Sequence, residues 1–311
     1  MSRILSYLRG SPKFYSNLKA IYGQTIGLWS LKTLYLEKIG IYNGNKYVKL
    51  LSNSEADKLI SNKIKSGKPF MLARYGSTEF RNLTGDNDFE LLGTYSGFFP
   101  NDKTLLEKFR KIYWESLKSL DILAVWNYKN HFLRKLKLVK KSPGLETLIS
   151  IDSVGKIDHG WIKELKNKKV LVIHPFKKTI EQQYKVMNKL KILPKLKKLE
   201  VIRAVQTIAG NPDNRFKDWF EALNYMKKEI DKKDFDIAFI GCGAYGLPLA
   251  AYVKNNGKQA IHLGGSLQLL FGIMGDRWKE NKEIKTNKYW AKPLNEDIPK
   301  NHKKVEGGCY W

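Results

Sequence analysis

The sequence predicts an α/β protein: a Rossmann-like, mostly parallel sheet with helices on both faces, preceded by an N-terminal helical extension. Three observations lead there. Short apolar runs alternate with amphipathic stretches through the second half, and glycine-rich turns follow two of those runs. The chain has 311 residues, 42% of them hydrophobic, enough to bury a sizeable core. We read residues 1–52 as the extension and 53–311 as one Rossmann-like domain, because no repeat and no long Pro/Gly/Ser linker divides them.

The elements follow in order. Over the first forty residues Leu, Ile, Tyr and Trp interleave with Lys at near-helical spacing. Helical periodicity resumes at 54–66, where Ser54 with Asp57 three residues on suggests a capped start. PFMLARY (69–75) reads as a buried strand. A helix at 104–120 puts Leu105, Phe109, Ile112, Tyr113 and Leu117 on one face, and DILAVW (121–126) is strand-like. KVLVIHPF (169–176), LEVIRAVQT (199–207), FDIAFIG (235–241) and KQAIHLGG (258–265) read as strands. Helices are expected at 178–190, 216–230 and 247–257, the second with Trp219, Leu223 and Met226 aligned. The tail after 280 is polar and irregular, but Tyr310 and Trp311 are costly to leave in water, so it is expected to dock.

The net charge of +26 draws anions: nucleic acid, anionic lipid or phosphorylated substrates. Base-reading proteins lean on bidentate Arg. Here only nine of the 56 Lys and Arg are Arg, and Lys is spread along the chain, which argues against nucleic acid as partner. Two cysteines far apart, Cys242 and Cys309, no leader-like apolar region and no run approaching a transmembrane span point to a cytoplasmic setting. Residues 1–45 mix Arg3, Arg9, Lys13, Lys19, Lys32 and Lys38 with Ile4, Leu8, Tyr15, Leu28 and Trp29. Such a stripe fits a helix packed on the domain, or a peripheral contact with the anionic inner face of the cell membrane.

GCGAYG (241–246) has G-x-G-x-x-G spacing directly after a strand and before a helix. Gly241, Gly243 and Gly246, with Ala244 and Tyr245 between them, would let backbone N–H groups approach a pyrophosphate; the alternative is tight strand–helix packing. A nicotinamide enzyme would place an acid about 20 residues on, yet the next strand ends in His262, Leu263, Gly264 and Gly265. That favours a nucleoside diphosphate over NAD. HLGGS (262–266) is a second glycine turn, so two turns flank one crevice, with His262 a ligand contact or a plain strand-end imidazole. RYGSTEF (74–80) sets Arg74 and Glu79 around Gly76 at a strand end. Arg clamps phosphate bidentately; Glu can hold a metal, orient an acceptor hydroxyl or take its proton; an ordinary ion pair is the alternative. His174, also at a strand end, is a candidate acid, base or phosphate donor. No H-E-x-x-H, Walker or G-x-S-x-G motif and no zinc-spaced cluster occurs.

The block 241–278, with HPF (174–176), AVQTIAG (204–210), DWFEAL (218–223) and EGGCYW (306–311), resembles a widespread bacterial family found among capsule, exopolysaccharide and O-antigen biosynthesis proteins. RYGSTE is similar to the R-x-G-x-x-E signature of the GT-D glycosyltransferase fold. The resemblance covers most of residues 69–311 and implies a nucleotide-sugar-dependent transferase with a Rossmann-like sheet. It further implies a divalent cation, Mn2+ or Mg2+, held by Glu79 together with an Asp two residues earlier; here that position is Ser77, so the acidic pair is incomplete.

The combined expectation is a glycosyltransferase. It takes a nucleoside-diphosphate sugar as donor and a surface polysaccharide or lipid-linked glycan as acceptor. Arg74, Gly76, Gly241, Gly243, Ala244, Tyr245, Gly246, His262, Gly264 and Gly265 form the donor site, and Glu79 and His174 act on the reaction. The alternatives are another Rossmann-fold nucleotide-cofactor enzyme and a basic nucleic-acid-binding protein.

Overall fold

The computed structural model describes residues 41–43, 46–85, 88–125, 139, 141–151, 159–211 and 213–311. The helical reading of the first forty residues lies outside them. The described residues include nine strands: β1 Ile41–Asn43, β2 Lys46–Leu50, β3 Phe70–Arg74, β4 Ile122–Val125, β5 Thr147–Ser150, β6 Lys169–His174, β7 Lys198–Arg203, β8 Ile237–Ile240 and β9 Gln259–His262. The helices are α1 Asn53–Ser66, α2 Ser77–Thr84, α3 Phe89–Ser96, α4 Leu106–Leu117, α5 Lys177–Tyr184, α6 Met187–Leu190, α7 Trp219–Asp231 and α8 Gly246–Asn255. The sheet runs β1-β2-β5-β4-β3-β9-β8-β6-β7. All pairings are parallel except β1 with β2.

Alternate residues of the central strands feed two separate cores. Met71, Leu123, Leu171, Ala238 and Ala260 face α4, α7 and α8 through Phe109, Trp219 and Leu249. Leu72, Ile122, Val172, Phe239 and Ile261 face α1 and α5 through Ile60 and Ile180. A sheet buried on both sides is what unbroken apolar runs such as KVLVI encode. The α/β class with helices on both faces therefore holds.

Several local readings shift. The stretch before residue 53 is not helical throughout: 41–43 and 46–50 are strands, and β2 joins the sheet beside β5 through Lys49↔Thr147. The expected boundary at 52/53 thus falls between a sheet strand and a helix that both pack into the same body. Helix α1 starts one residue earlier than periodicity suggested. Its cap is Ser52, whose Oγ accepts from the Glu55 N–H at 3.3 Å while Glu55 Oε2 accepts from the Ser52 N–H at 2.9 Å. Asp57 instead accepts from the Trp161 N–H at 2.9 Å, tying α1 to the 3₁₀ turn at Gly160–Leu165. The stretch 178–190 breaks into α5 and α6, and the apolar run after Gly264 winds as a 3₁₀ helix, Gly264–Phe271.

Two aspartates secure the amino ends of the strands. Asp121 Oδ2 accepts from the Met71 N–H and its Oδ1 from Lys254 Nζ, both at 2.7 Å, while its carbonyl accepts from the Glu146 N–H. One residue thereby ties β3, β4, β5 and α8 together through its side chain and its carbonyl. Asp236 repeats the device, accepting from the Lys169 N–H at 2.8 Å. Asp121→Ala leaves the Met71 N–H without its acceptor and takes the carboxylate from Lys254, which keeps the Ser119 carbonyl. It should cost about 3 kcal/mol in urea unfolding, and Asp121→Asn, which keeps an acceptor, distinctly less. Equal midpoints for the two variants would contradict the assignment.

Candidate active site

Chain order and sheet order diverge on either side of β6: the chain leaves it for β7 on one flank and returns to β8 on the other. The loops that follow diverge, and a crevice opens at the carboxyl ends of the strands. Register sets its floor. Ala73 pairs with His262, His262 with Ile240, and Ile240 with Ile173, so Arg74, His262 and His174 leave the sheet within one residue of a common level. The resulting cavity of about 450 Å³ is of a size that takes small molecules. Every residue marked in the sequence lines it except Ala244 and Gly246. Ala244 is fully buried, and its carbonyl accepts from Tyr113 Oη at 2.6 Å. Tyr245 stacks on Trp219 with ring centroids 5.1 Å apart, so the turn is held from below by two aromatic side chains.

The glycines do a different job from the one their spacing suggested. A Cβ on Gly76 would lie 2.0 Å from Glu79 Oε2, and one on Gly264 2.7 Å from Arg74 Nη1. On Gly241 it would meet the Gly264 carbonyl oxygen at 2.5 Å and His174 Cδ2 at 2.9 Å, on Gly246 His262 Nε2 at 2.1 Å, and on Gly265 Tyr310 Cε1 at 2.2 Å. Gly243, at φ +55°, faces the Ser96 carbonyl at 2.6 Å. The missing side-chain volumes are occupied by the site's own groups and by the end of α3, not held open for a phosphate. Gly243 is thus fixed by its left-handed backbone and its packing.

The two histidines are neutral and complementary. Burial brings the pKa of each down to about 3. The Phe176 N–H donates to His174 Nδ1 at 3.0 Å, which leaves the His174 proton on Nε2. His262 Nδ1 lies 3.0 Å from the Arg74 carbonyl, an acceptor only, so His262 carries its proton on Nδ1. His174 is therefore a hydrogen-bond donor to the cavity, not a base working near neutrality, and His262 braces β3 against the start of α8. Cys242 is buried and its thiol is pushed far up by desolvation, so it is no nucleophile.

Arg74 is enclosed. Burial lowers its pKa, and Tyr310 and Glu79 oppose that shift. Glu79, 5% exposed in the first turn of α2, accepts from Thr78 Oγ1 at 3.0 Å, and Thr78 Oγ1 is 2.5 Å from Ser96 Oγ. Among the described residues no three His, Cys, Asp or Glu gather as a metal-holding group. Glu79 is braced by a hydroxyl, and the cavity's other carboxylate, Glu306, is bonded to Arg277.

Sequence reasoning missed Arg277, which enters the cavity from the 3₁₀ turn Asp276–Trp278. Its Nη1 donates to Glu306 Oε2 and Tyr310 Oη, each at 2.8 Å. The tail docks as expected: Trp311 is 6% exposed and Gln268 Nε2 donates to the Tyr310 carbonyl at 3.1 Å. An Arg just past the apolar run and an acid-aromatic tail were visible separately; nothing in their spacing joined them.

A Leucine Rich Repeat family model matches residues 30–54. The described part of that stretch is β1, β2 and the opening of α1. No curated protein matches the chain. Two solved structures are similar to it. One is a selenomethionine-substituted domain of unknown function 1792, at 15% identity and TM-score 0.42, covering 70% of this chain and 79% of that one. The other is described as the highly conserved domain of unknown function 1792 with a distinct glycosyltransferase fold, at 15% identity and TM-score 0.40, covering 70% and 78%.

The buried histidines make acid sensitivity a test of this geometry. Both stay neutral in the folded chain down to about pH 3, whereas unfolded imidazoles protonate near 6.5. Between those values the unfolded state binds more protons, so stability falls as pH drops through that window. His174→Asn should remove about one proton of uptake from the pH dependence of unfolding. An unchanged slope would place the ring in water.

Proposed function

We propose that the chain is a glycosyltransferase that moves a sugar from a nucleoside-diphosphate sugar onto a hydroxyl of a surface polysaccharide or lipid-linked glycan precursor. The observation that carries this reading is the pairing of Arg74 and Glu79. Glu79 is buried and Arg74 half-buried with its Nε shut away from solvent, they sit five residues apart across the β3–α2 junction, and they line one cavity at the carboxyl ends of a parallel sheet. The resemblance of RYGSTE to the R-x-G-x-x-E signature agrees with it.

Transfer requires the acceptor oxygen to bond to the anomeric carbon while the bond from that carbon to the diphosphate breaks. Negative charge grows on the leaving diphosphate, and the acceptor hydroxyl must shed its proton. In a cavity shielded from water, a fixed guanidinium stabilises that charge far more than solvent would. Arg74 is the group placed to do so, and the His174 Nε2–H adds a neutral donor. Glu79 takes the acceptor proton, with Thr78 orienting its carboxylate. The proton passes from the hydroxyl to Glu79 as the electron pair of the broken bond leaves with the diphosphate.

Glu79→Gln keeps the shape and the Thr78 contact but cannot accept a proton. Turnover should fall about 100-fold or more with an unchanged melting curve, and Arg74→Lys should fall comparably because a point charge does not replace the planar fork. UDP, GDP or CMP should raise the melting temperature where NAD and RNA do not. Near-normal turnover of Glu79→Gln, or stabilisation by NAD or RNA, would overturn the reading.

No helix among the described residues is long and apolar enough to cross a membrane. The +26 charge suits an anionic donor, an anionic lipid carrier and work at the inner membrane face. Full-length protein should therefore co-sediment with anionic liposomes at low salt and come off at high salt, since the attraction is screened within about 8 Å at physiological ionic strength. Binding indifferent to salt or to lipid charge would remove the membrane part of the proposal.

A further inference from the structure

We propose that residues 302–311 build the second half of the anion site, aiming Arg277 across the cavity from Arg74 so that the two guanidiniums clamp a diphosphate. The choice of ligand rests on the transferase reading; the clamp itself rests on geometry. Gly264 and Gly265 are its spine. Arg74 Nη1 occupies the side-chain space of Gly264, and the Tyr310 ring that of Gly265, so neighbouring residues seat the two arms. Tyr310 Oη and Glu306 Oε2 both accept from Arg277 Nη1 at 2.8 Å. The Arg277 N–H donates to the Cys309 carbonyl at 2.7 Å, and a Cβ on Gly275 would meet the Tyr310 carbonyl oxygen at 2.6 Å, so the two backbones are in contact. Buried Gln268 fixes the Tyr310 carbonyl from the other side.

Two cations at one cavity repel, and Arg277 does depress the Arg74 guanidinium beyond the effect of burial. Glu306 offsets part of that cost from the tail side. A ligand with two adjacent phosphates presents oxygens to both forks at once, whereas a single phosphate is held by one of them. Glu306 and Tyr310 are positioning residues in this scheme, acting on the ligand only through Arg277. It also gives the tail a use beyond covering apolar surface.

Titration calorimetry of the full chain with inorganic pyrophosphate, inorganic phosphate, UDP and GDP tests the clamp without any need for turnover. Pyrophosphate should bind the wild type about tenfold or more tighter than phosphate. Arg277→Ala and Arg277→Lys should both abolish that preference. Tyr310→Phe keeps the ring on Gly265 but loses the hydroxyl, and should narrow the preference with an unchanged melting curve. It is therefore the deciding variant if Arg277→Ala does not fold. UDP or GDP binding tighter than pyrophosphate would identify a nucleoside diphosphate as the ligand; equal binding would identify the free diphosphate. Phosphate and pyrophosphate bound alike, or a full preference retained by Tyr310→Phe and Arg277→Lys, overturns the clamp. Pyrophosphate held through Arg277 in a chain that transfers no sugar would sustain the clamp and sink the transferase.

Discussion

A guanidinium that cannot shed its charge is half-buried at the end of β3, its Nε shut away from solvent, and much of the site is arranged around it. Taking Arg74 out of water is costly unless opposite charge and aligned donors and acceptors stand close by. Glu79, Tyr310 and Glu306 supply the opposing electrostatics. Glu79 reaches Arg74 from α2 and the other two from the tail, so the cost is met only when the first helix after β3 and the tail are both in place. Seated against Gly264, Arg74 also cannot move away without leaving a hole in the turn that follows β9.

The glycine turns are understood best as sockets. In four cases the space of the absent Cβ is taken by a functional side chain, Glu79 at Gly76, His262 at Gly246, Arg74 at Gly264 and Tyr310 at Gly265, while at Gly241 the Gly264 carbonyl comes nearest with His174 beside it. This differs from a phosphate-binding loop, where the absent side chain lets the ligand approach the backbone. The consequence is rigidity. A ring or carboxylate wedged against a Cα has few rotamers left, so little entropy remains to be lost on binding or in a transition state. The histidine pair shows the same economy. Opposite tautomers are set by one backbone donor and one backbone acceptor, and burial keeps both rings neutral.

The sheet provides the frame that makes these contacts possible. Parallel strands in register bring β3, β9, β8 and β6 to a common end, and the aspartates at the opposite ends hold that register. The aromatic layer of Phe98, Phe109, Trp219 and Tyr245 fastens α4, α7 and the turn after β8 into one block. Side chains placed to a few tenths of an ångström need such a support, because a cavity lined by loose loops would let Arg74 and Glu79 drift out of reach of one substrate.

Local pattern determined the strands and helices of the second half, because unbroken apolar runs and 3.6-residue periodicity are properties of neighbouring residues. It marked Arg74, Glu79, His174 and His262 as well, since strand ends are readable wherever strands are. Tertiary structure decided the rest. Strand β5 is only TLIS, too short to stand out, and becomes a strand because β4 and β2 flank it. The stretch at 46–50 looked like part of a helix and is a strand because the sheet offers it an edge beside β5. Spacing announced glycines that would open space for a phosphate, and only the packed fold shows that space filled. Arg277 and Tyr310 lie 33 residues apart, with nothing in either segment naming the other, yet they share a hydrogen bond. Sequence carries short-range propensities; which distant charges meet is a matter of where burial forces them to find partners.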